Sequence, residues 1–237
     1  MRNLIAAALV AAGVLLGWSG TPVAAADSPC AALGGAVAGE QTCHVHASTS
    51  NYTLDMKFPL DYADEQALTD YISQNRDGFV SVAQTSTQTS GTRDVPFQME
   101  VTFDQYHSGQ PPGGTQSVVV KVFEDLGGPR PSTSYKGFNY DLGSHQAITF
   151  DTLFAPNSKP LDSIFPIVQR EVGRQTGLGA AILPGSGLDS SHYQNFGITD
   201  DELIFYFAPG ELLPPTIAGP TQVHLARNAI PPLAIKG

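Results

Sequence analysis

The chain has 237 residues, 41% hydrophobic and 14% charged, with 22 Asp and Glu against 12 Lys and Arg, two cysteines and one tryptophan. Those proportions fit one compact globular domain or two small ones and exclude a disordered or collagen-like chain. The net charge of −10 argues against nucleic acid, which needs a clustered basic footprint where here the cations are scattered and outnumbered. An anionic membrane surface is disfavoured for the same reason.

Residues 1–26 open with Met1-Arg2-Asn3, continue as an apolar run from Leu4 to Trp18, and end on Ala24-Ala25-Ala26. A cationic start, an apolar centre and small residues at the end predict a secretory signal peptide cleaved near Ala26. The run is too short for a membrane anchor, which needs roughly 20 apolar residues. Cleavage removes only Arg2 among the charged residues and moves the net charge from −10 to −11. Export to an oxidising compartment predicts that Cys30 and Cys43 pair. Closing so short a loop contributes on the order of 3 kcal/mol in the chain-entropy model and pins the N-terminus.

Along the rest of the chain, His44–Ala47 and Tyr52–Phe58 alternate with a period of two, as strands with one wet face do, and Pro59 ends the second. Asp61 and Asp64 offer helix caps, and Leu68, Tyr71, Ile72, Phe79 and Val82 form a stripe that predicts a helix over residues 64–82. Gln84–Thr92 has no apolar period and reads as a mobile loop. Strands follow at Phe97–Phe103 and Ser117–Phe123, joined through Gly109–Gly114 as neighbouring antiparallel partners. A turn at Gly127–Pro131 precedes a strand at Ser134–Tyr140. Ile148–Phe154 leads into a second helix with Leu161, Ile164, Phe165, Val168 and Val172 on its stripe. Pro166 predicts a break, so the regular helix is expected from about residue 165 to Gln175, capped by Gly177. The last strands are expected at Tyr193–Ile198, Leu203–Phe207 and Thr221–Leu225.

The run Asn195–Phe207, with Pro209-Gly210-Glu211-Leu212-Leu213-Pro214 and Ala218-Gly219-Pro220, resembles the C-terminal domain of RsiV-type extracytoplasmic anti-sigma factors. Leu142–Phe154 and the helix after Phe58-Pro59-Leu60 resemble other parts of the same family. Where members often carry Gly-Gly-Ala-His-Pro, this chain has Gly127-Gly128-Pro129-Arg130-Pro131, so no role of that histidine carries over. Over residues 28–234, including both cysteines, Ser73–Phe79, Pro166-Ile167-Val168-Gln169 and Tyr193-Gln194-Asn195-Phe196, the chain is similar to the mycobacterial secreted immunogenic proteins, the MPT/MPB-type antigens. The resemblance implies a secreted, cell-wall-associated α+β antigen. Some relatives are described as esterases, and related anti-sigma domains bind lysozyme, a strongly basic host enzyme.

An esterase of the serine type needs a nucleophile, a base, a group orienting the base, and donors for the oxyanion. Pro184–His192 holds Ser186, Asp189 and His192 close together, with Ser186 as candidate nucleophile, His192 or His224 as base and Asp189 as orienter. The flanking glycines do not form the Gly-x-Ser-x-Gly elbow, and the alternative is a Gly/Ser turn with an exposed histidine. His44 and His46, two apart on one strand face, suit two metal ligands. The third would come from Asp55 or elsewhere, and the alternative is a pair of solvent-facing polar positions. No metal and no cofactor is expected. Asp200-Asp201-Glu202 lacks calcium-loop spacing and reads as a solvated turn.

The fold expected is a single compact α+β domain: two helices packed on a twisted, mainly antiparallel sheet. Its parts are a signal peptide at 1–26, an N-terminal part at 27–140 with the disulfide loop, and an RsiV-like part at 141–237. Leu68, Ile72, Phe79, Val118, Val120, Phe165, Val168, Ile204 and Tyr206 are expected in its core. The expected role is that of a monomeric extracellular binding module for a basic host protein, with a weak short-chain esterase as the alternative. No nucleic acid partner and no transmembrane anchor is expected.

Overall fold

The computed structural model describes residues 28–39, 41–90, 95–177 and 182–235, so the expected signal peptide lies outside the described residues. A one-turn helix α1 (Pro29–Ala32) leads into strands β1 (Ala36–Ala38), β2 (Thr42–Ser48) and β3 (Tyr52–Pro59). Helix α2 (Glu65–Ser90) follows, then β4 (Phe97–Ser108), β5 (Thr115–Asp125), β6 (Ser132–Asp141) and β7 (Gln146–Ala147). The remaining elements are α3 (Phe150–Leu153), α4 (Pro160–Thr176), α5 (Pro184–Gly187), a 3₁₀ turn at Ser190–Tyr193, β8 (Phe196–Ile198), β9 (Glu202–Phe207), β10 (Thr221–Ala226) and a 3₁₀ turn at Arg227–Ala229.

The first seven strands form one sheet in sequence order, and β8–β10 form a second, in the order β10-β9-β8. Neighbours run antiparallel except β3 and β4, which are parallel with α2 as the crossover between them. The α+β class is as expected, but the two helices cover two different sheets. Strand alternation explains the layering. Val45, Leu54, Met56, Met99, Val101, Val118, Val120 and Val122 share one face of the large sheet and bury Leu68, Ile72, Phe79 and Ala83 of α2. The opposite face presents Val119, which packs with Ile204 and Tyr206 of the small sheet. On the far face of the small sheet, Leu203, Phe205, Phe207, Val223 and Leu225 meet Ile164, Val168 and Val172 of α4. The expected single core is therefore three clusters, because a second sheet slides between the helices. Phe165, expected inside, packs only at the margin of the α4 cluster, and its neighbour Ile164 is fully buried.

The two sheets meet through hydrogen bonds as well as apolar contact. Ser117 Oγ accepts from Ile198 N at 3.1 Å, and Asn139 Nδ2 donates to the Phe196 carbonyl at 2.9 Å. Gly137 allows this approach, since a Cβ there would lie 2.9 Å from Phe196 N. Cys30 and Cys43 are disulfide-bonded, with Cα atoms 5.5 Å apart and both residues buried under the large sheet's first strands.

Both helices are longer than their sequence pattern predicts. Asp64 Oδ1 accepts from Ala67 N at 3.2 Å and caps α2, which then runs through the expected loop to Ser90. Nothing between Gln84 and Ser90 is Gly or Pro, and adding a residue to an existing helix costs far less than nucleating one. The stripe also ends differently: Ala83 is buried and Val82 is 44% exposed. Helix α4 passes through Pro166 without interruption, starting at Pro160 in the favoured first position and ending at Gly177 with φ 73°. The roughly 3 kcal/mol cost of an interior proline is offset by burial of Ile164 before it and Val168 and Val172 after it. Tyr193, expected in a strand, closes the 3₁₀ turn instead. The short β1 and β7 had no pattern to reveal them.

Candidate functional site

Three groups of residues carry chemistry. The first is the loop from Pro184 to Gln194. Its backbone turns twice, through α5 and the 3₁₀ turn, and Tyr193 anchors it by donating its hydroxyl to the Gly187 carbonyl at 2.7 Å. The imidazole Nδ1 of His192 lies 3.0 Å from the carbonyl oxygen of Ser186. Asp189 Oδ1 accepts from Ser191 N at 2.9 Å and caps the 3₁₀ turn. The loop therefore gathers Ser186, Asp189 and His192, but these bonds are not the nucleophile–base and base–orienter bonds of a triad. Hydrogen bonds from Ser191 hold the Asp189 carboxyl below the usual range.

A bond from His192 Nδ1–H to a carbonyl fixes the tautomer that leaves Nε2 with its lone pair free to take a proton. Leu183, 71% exposed, and Leu188, 47% exposed, flank Ser186 with apolar surface. Glu211 is close enough to His192 for their charges to interact, and burial pushes its carboxyl up. Glu211 also accepts from Ala208 N at 2.7 Å, closing its own turn. Ser190, which the residue pattern did not single out, lines a hollow of about 300 Å³ with Phe150, Asp151, Phe154 and Lys159. His224, the other candidate base, sits on β10 with Nδ1 2.8 Å from Glu202 Oε2.

The second group is a seam of hydroxyls between the sheets. Tyr206 donates to Asp104 Oδ2 at 2.9 Å and shares a 2.5 Å hydrogen bond with the Tyr106 hydroxyl. Burial and these neighbours raise the Tyr206 phenol far above its ordinary value. Asp200, expected in a solvated turn, accepts from Ser108 Oγ at 3.1 Å and Gly109 N at 2.7 Å, tying the β8–β9 turn to the β4–β5 hairpin.

The third group lies on the large sheet where the small sheet does not cover it. Ladder register sets His46 opposite Asp55, which answers where a third group beside the histidines comes from. Sequence spacing alone left that open, because residues on neighbouring strands meet only once the register is known.

The match to known proteins is extensive. Over 235 residues the chain is 63% identical to the protein named Esterase Rv3036c of Mycobacterium tuberculosis, covering 99% of this chain and 100% of that one. It is 45% identical to Immunogenic protein MPT64 of the same species over 222 residues, covering 94% and 95%. The chain belongs to this mycobacterial immunogenic protein family. Residues 151–228 also match the family described as "Protein of unknown function (DUF3298)", which is the RsiV-like part. A solved DUF3298 family protein from Pseudomonas aeruginosa PAO1 aligns at 10% identity with a TM-score of 0.48, over 80% of this chain and 93% of that chain. The DUF3298 segment holds α4, the Ser186–His192 loop and the small sheet, whereas His44, His46 and Asp55 precede it in the chain.

Proposed function

We propose that the protein is an extracellular carboxylic-ester hydrolase of short-chain substrates, with His192 as general base. The relative named Esterase Rv3036c, 63% identical from end to end, carries this reading. The loop geometry is compatible with it: Nδ1 of His192 is held on the Ser186 carbonyl, so Nε2 takes the proton, either from a serine hydroxyl or from water. Ser186 is the first candidate nucleophile and Ser190, beside the hollow, the second. The exposed Leu183 and Leu188 offer an acyl chain an apolar rest.

The test is hydrolysis of short-chain nitrophenyl esters by the purified protein and by His192→Ala, Ser186→Ala and Ser190→Ala, each checked for folding. Loss of a general base costs about 10²–10⁴ in rate. Loss in His192→Ala together with one serine variant makes that serine the nucleophile, and loss in His192→Ala alone makes water the attacking group. Activity that is absent, or unchanged in all three, removes catalysis from this loop.

A second reading rests on the net charge of −10: a binding module for a basic protein, whose encounter acidic surface would accelerate. Binding to lysozyme that weakens steeply as salt rises supports it, and no binding at low salt removes it.

A further inference from the structure

We propose that His44, His46 and Asp55 form a binding site for one zinc-like divalent transition-metal ion. The backbone sets the site up. Cys43 and Val45 of β2 point into the core, so His44 and His46 project together from the opposite face. On β3, Leu54 and Met56 point inward, so Asp55 shares that outer face. Register places Asp55 across from His46 and Lys57 across from His44.

Both rings turn a nitrogen towards the same carboxylate. His44 Nε2 lies 3.2 Å from Asp55 Oδ1, and His46 Nδ1 lies 3.5 Å from Oδ2. One ligand atom from each of the three residues falls within 4.8 Å of the others. A tetrahedral ion with bonds of about 2.0–2.1 Å separates its ligand atoms by about 3.3 Å, so the edge from His44 Nε2 to Asp55 Oδ1 is already near its final length. The other two edges involve His46, whose ring centroid is 6.3 Å from that of His44 and which must turn towards the shared oxygen.

The surroundings favour an ion over a simple pair of hydrogen bonds. The disulfide at Cys43 fixes the strand one residue before His44, and β2 is laddered to β3 along its whole length, so two of the ligands start from a rigid frame. The His44, His46 and Asp55 side chains are 36%, 61% and 45% exposed, which leaves the ion a way in and a place for water as a fourth ligand. A hollow of about 360 Å³ beside Asp55 is lined by His46, Lys57, Gln98 and Glu100. Glu100 is the ladder neighbour of Asp55 on β4, so a second carboxylate stands against Lys57, the cation in the lining of this hollow. Two imidazoles and a carboxylate select Zn²⁺, Cu²⁺ or Ni²⁺ over Mg²⁺ and Ca²⁺, which require oxygen ligands.

The test titrates the purified full-length protein with Zn²⁺ alone, in a buffer that does not chelate it, by calorimetry and by the NMR signals of the histidine rings. One ion should bind per chain, Mg²⁺ should not bind there, and of the six histidines the rings of His44 and His46 should move. His46→Ala and the isosteric Asp55→Asn should each weaken binding at least tenfold with circular dichroism unchanged, while His107→Ala on β4 should leave it as it was. Binding that survives His46→Ala and Asp55→Asn, ring shifts confined to His192 or His224, or no binding at all, would overturn the proposal.

Discussion

The two helix-covered cores hold the same kinds of side chain in different arrangements. Under α2, Val45, Leu54, Met56, Leu68, Ile72, Met99 and the valines of β5 line the sheet, and the buried rings of Tyr62 and Phe79 meet half-buried partners such as Phe138 and Tyr52 at the margin. Under α4, among Ile164, Val168, Leu203, Val223 and Leu225, the buried rings of Phe150, Phe154, Tyr193, Phe196, Phe205 and Phe207 pack on one another in edge and tilted pairs with centroids 5.2–6.1 Å apart. A seven-stranded sheet repeats small contacts along strands of up to 12 residues. A three-stranded sheet with strands of three to six residues sets one contiguous group of rings at the centre of its core. The first arrangement spreads its stabilisation, and the second concentrates it.

Phe205→Ala attacks the concentrated core and should cost about 3–5 kcal/mol in urea unfolding, against about 2 kcal/mol for Val120→Ala in the spread one. Equal losses would erase the contrast. Replacing Cys30 and Cys43 together by Ser should cost about 2–4 kcal/mol, because the chain before β2 is held by a single crosslink and a short ladder rather than by rings. Tyr206→Phe probes the seam between the layers. It deprives the Asp104 carboxylate and the Tyr106 hydroxyl of a shared partner and should cost about 1–3 kcal/mol. A single unfolding transition retained in this variant would show that the coupling of the two sheets does not depend on this hydroxyl.

The smallest effect belongs to Glu171 on α4. Hydrogen bonds from Arg174, then Gln175, hold its carboxyl down to about 2. A depressed carboxyl stabilises the fold above its unfolded value of about 4.3, and that contribution disappears as pH falls towards 2. Arg174 is largely exposed, so screening limits the gain to a few tenths of a kcal/mol. Glu171→Gln should lower the unfolding temperature slightly at pH 7 and leave it unchanged near pH 2.

Patterns of period two and 3.6 located the eight long or strongly apolar strands and both long helices, because alternation and stripes are written locally. Layering was not local. Val118 and Val120 belong under α2 while Val119 between them belongs to the seam, and nothing in a run of valines says that its second face meets another sheet. The ends of α2 and α4 differ from the local pattern because a polar run does not stop an established helix and tertiary burial carries α4 past its lone proline. The site residues divide in the same way. Ser186, Asp189 and His192 were visible as neighbours along the chain, yet tight turns direct their polar atoms to backbone partners. His44 and His46 were visible as a pair, but Asp55 joined them through a register that no local pattern encodes.

The large sheet ends on β1, three residues long, and β7, two residues long, so its longest strands, β4 and β5, lie inside with partners on both sides. A free strand edge is a template on which another molecule can add its own backbone, and short terminal strands deny it the length needed to start. The two longest strands, β4 and β5, are thereby closed to a second molecule, and what the large sheet leaves for strand addition is β6, which is ten residues long and paired with β7 only at Tyr140 and Asp141.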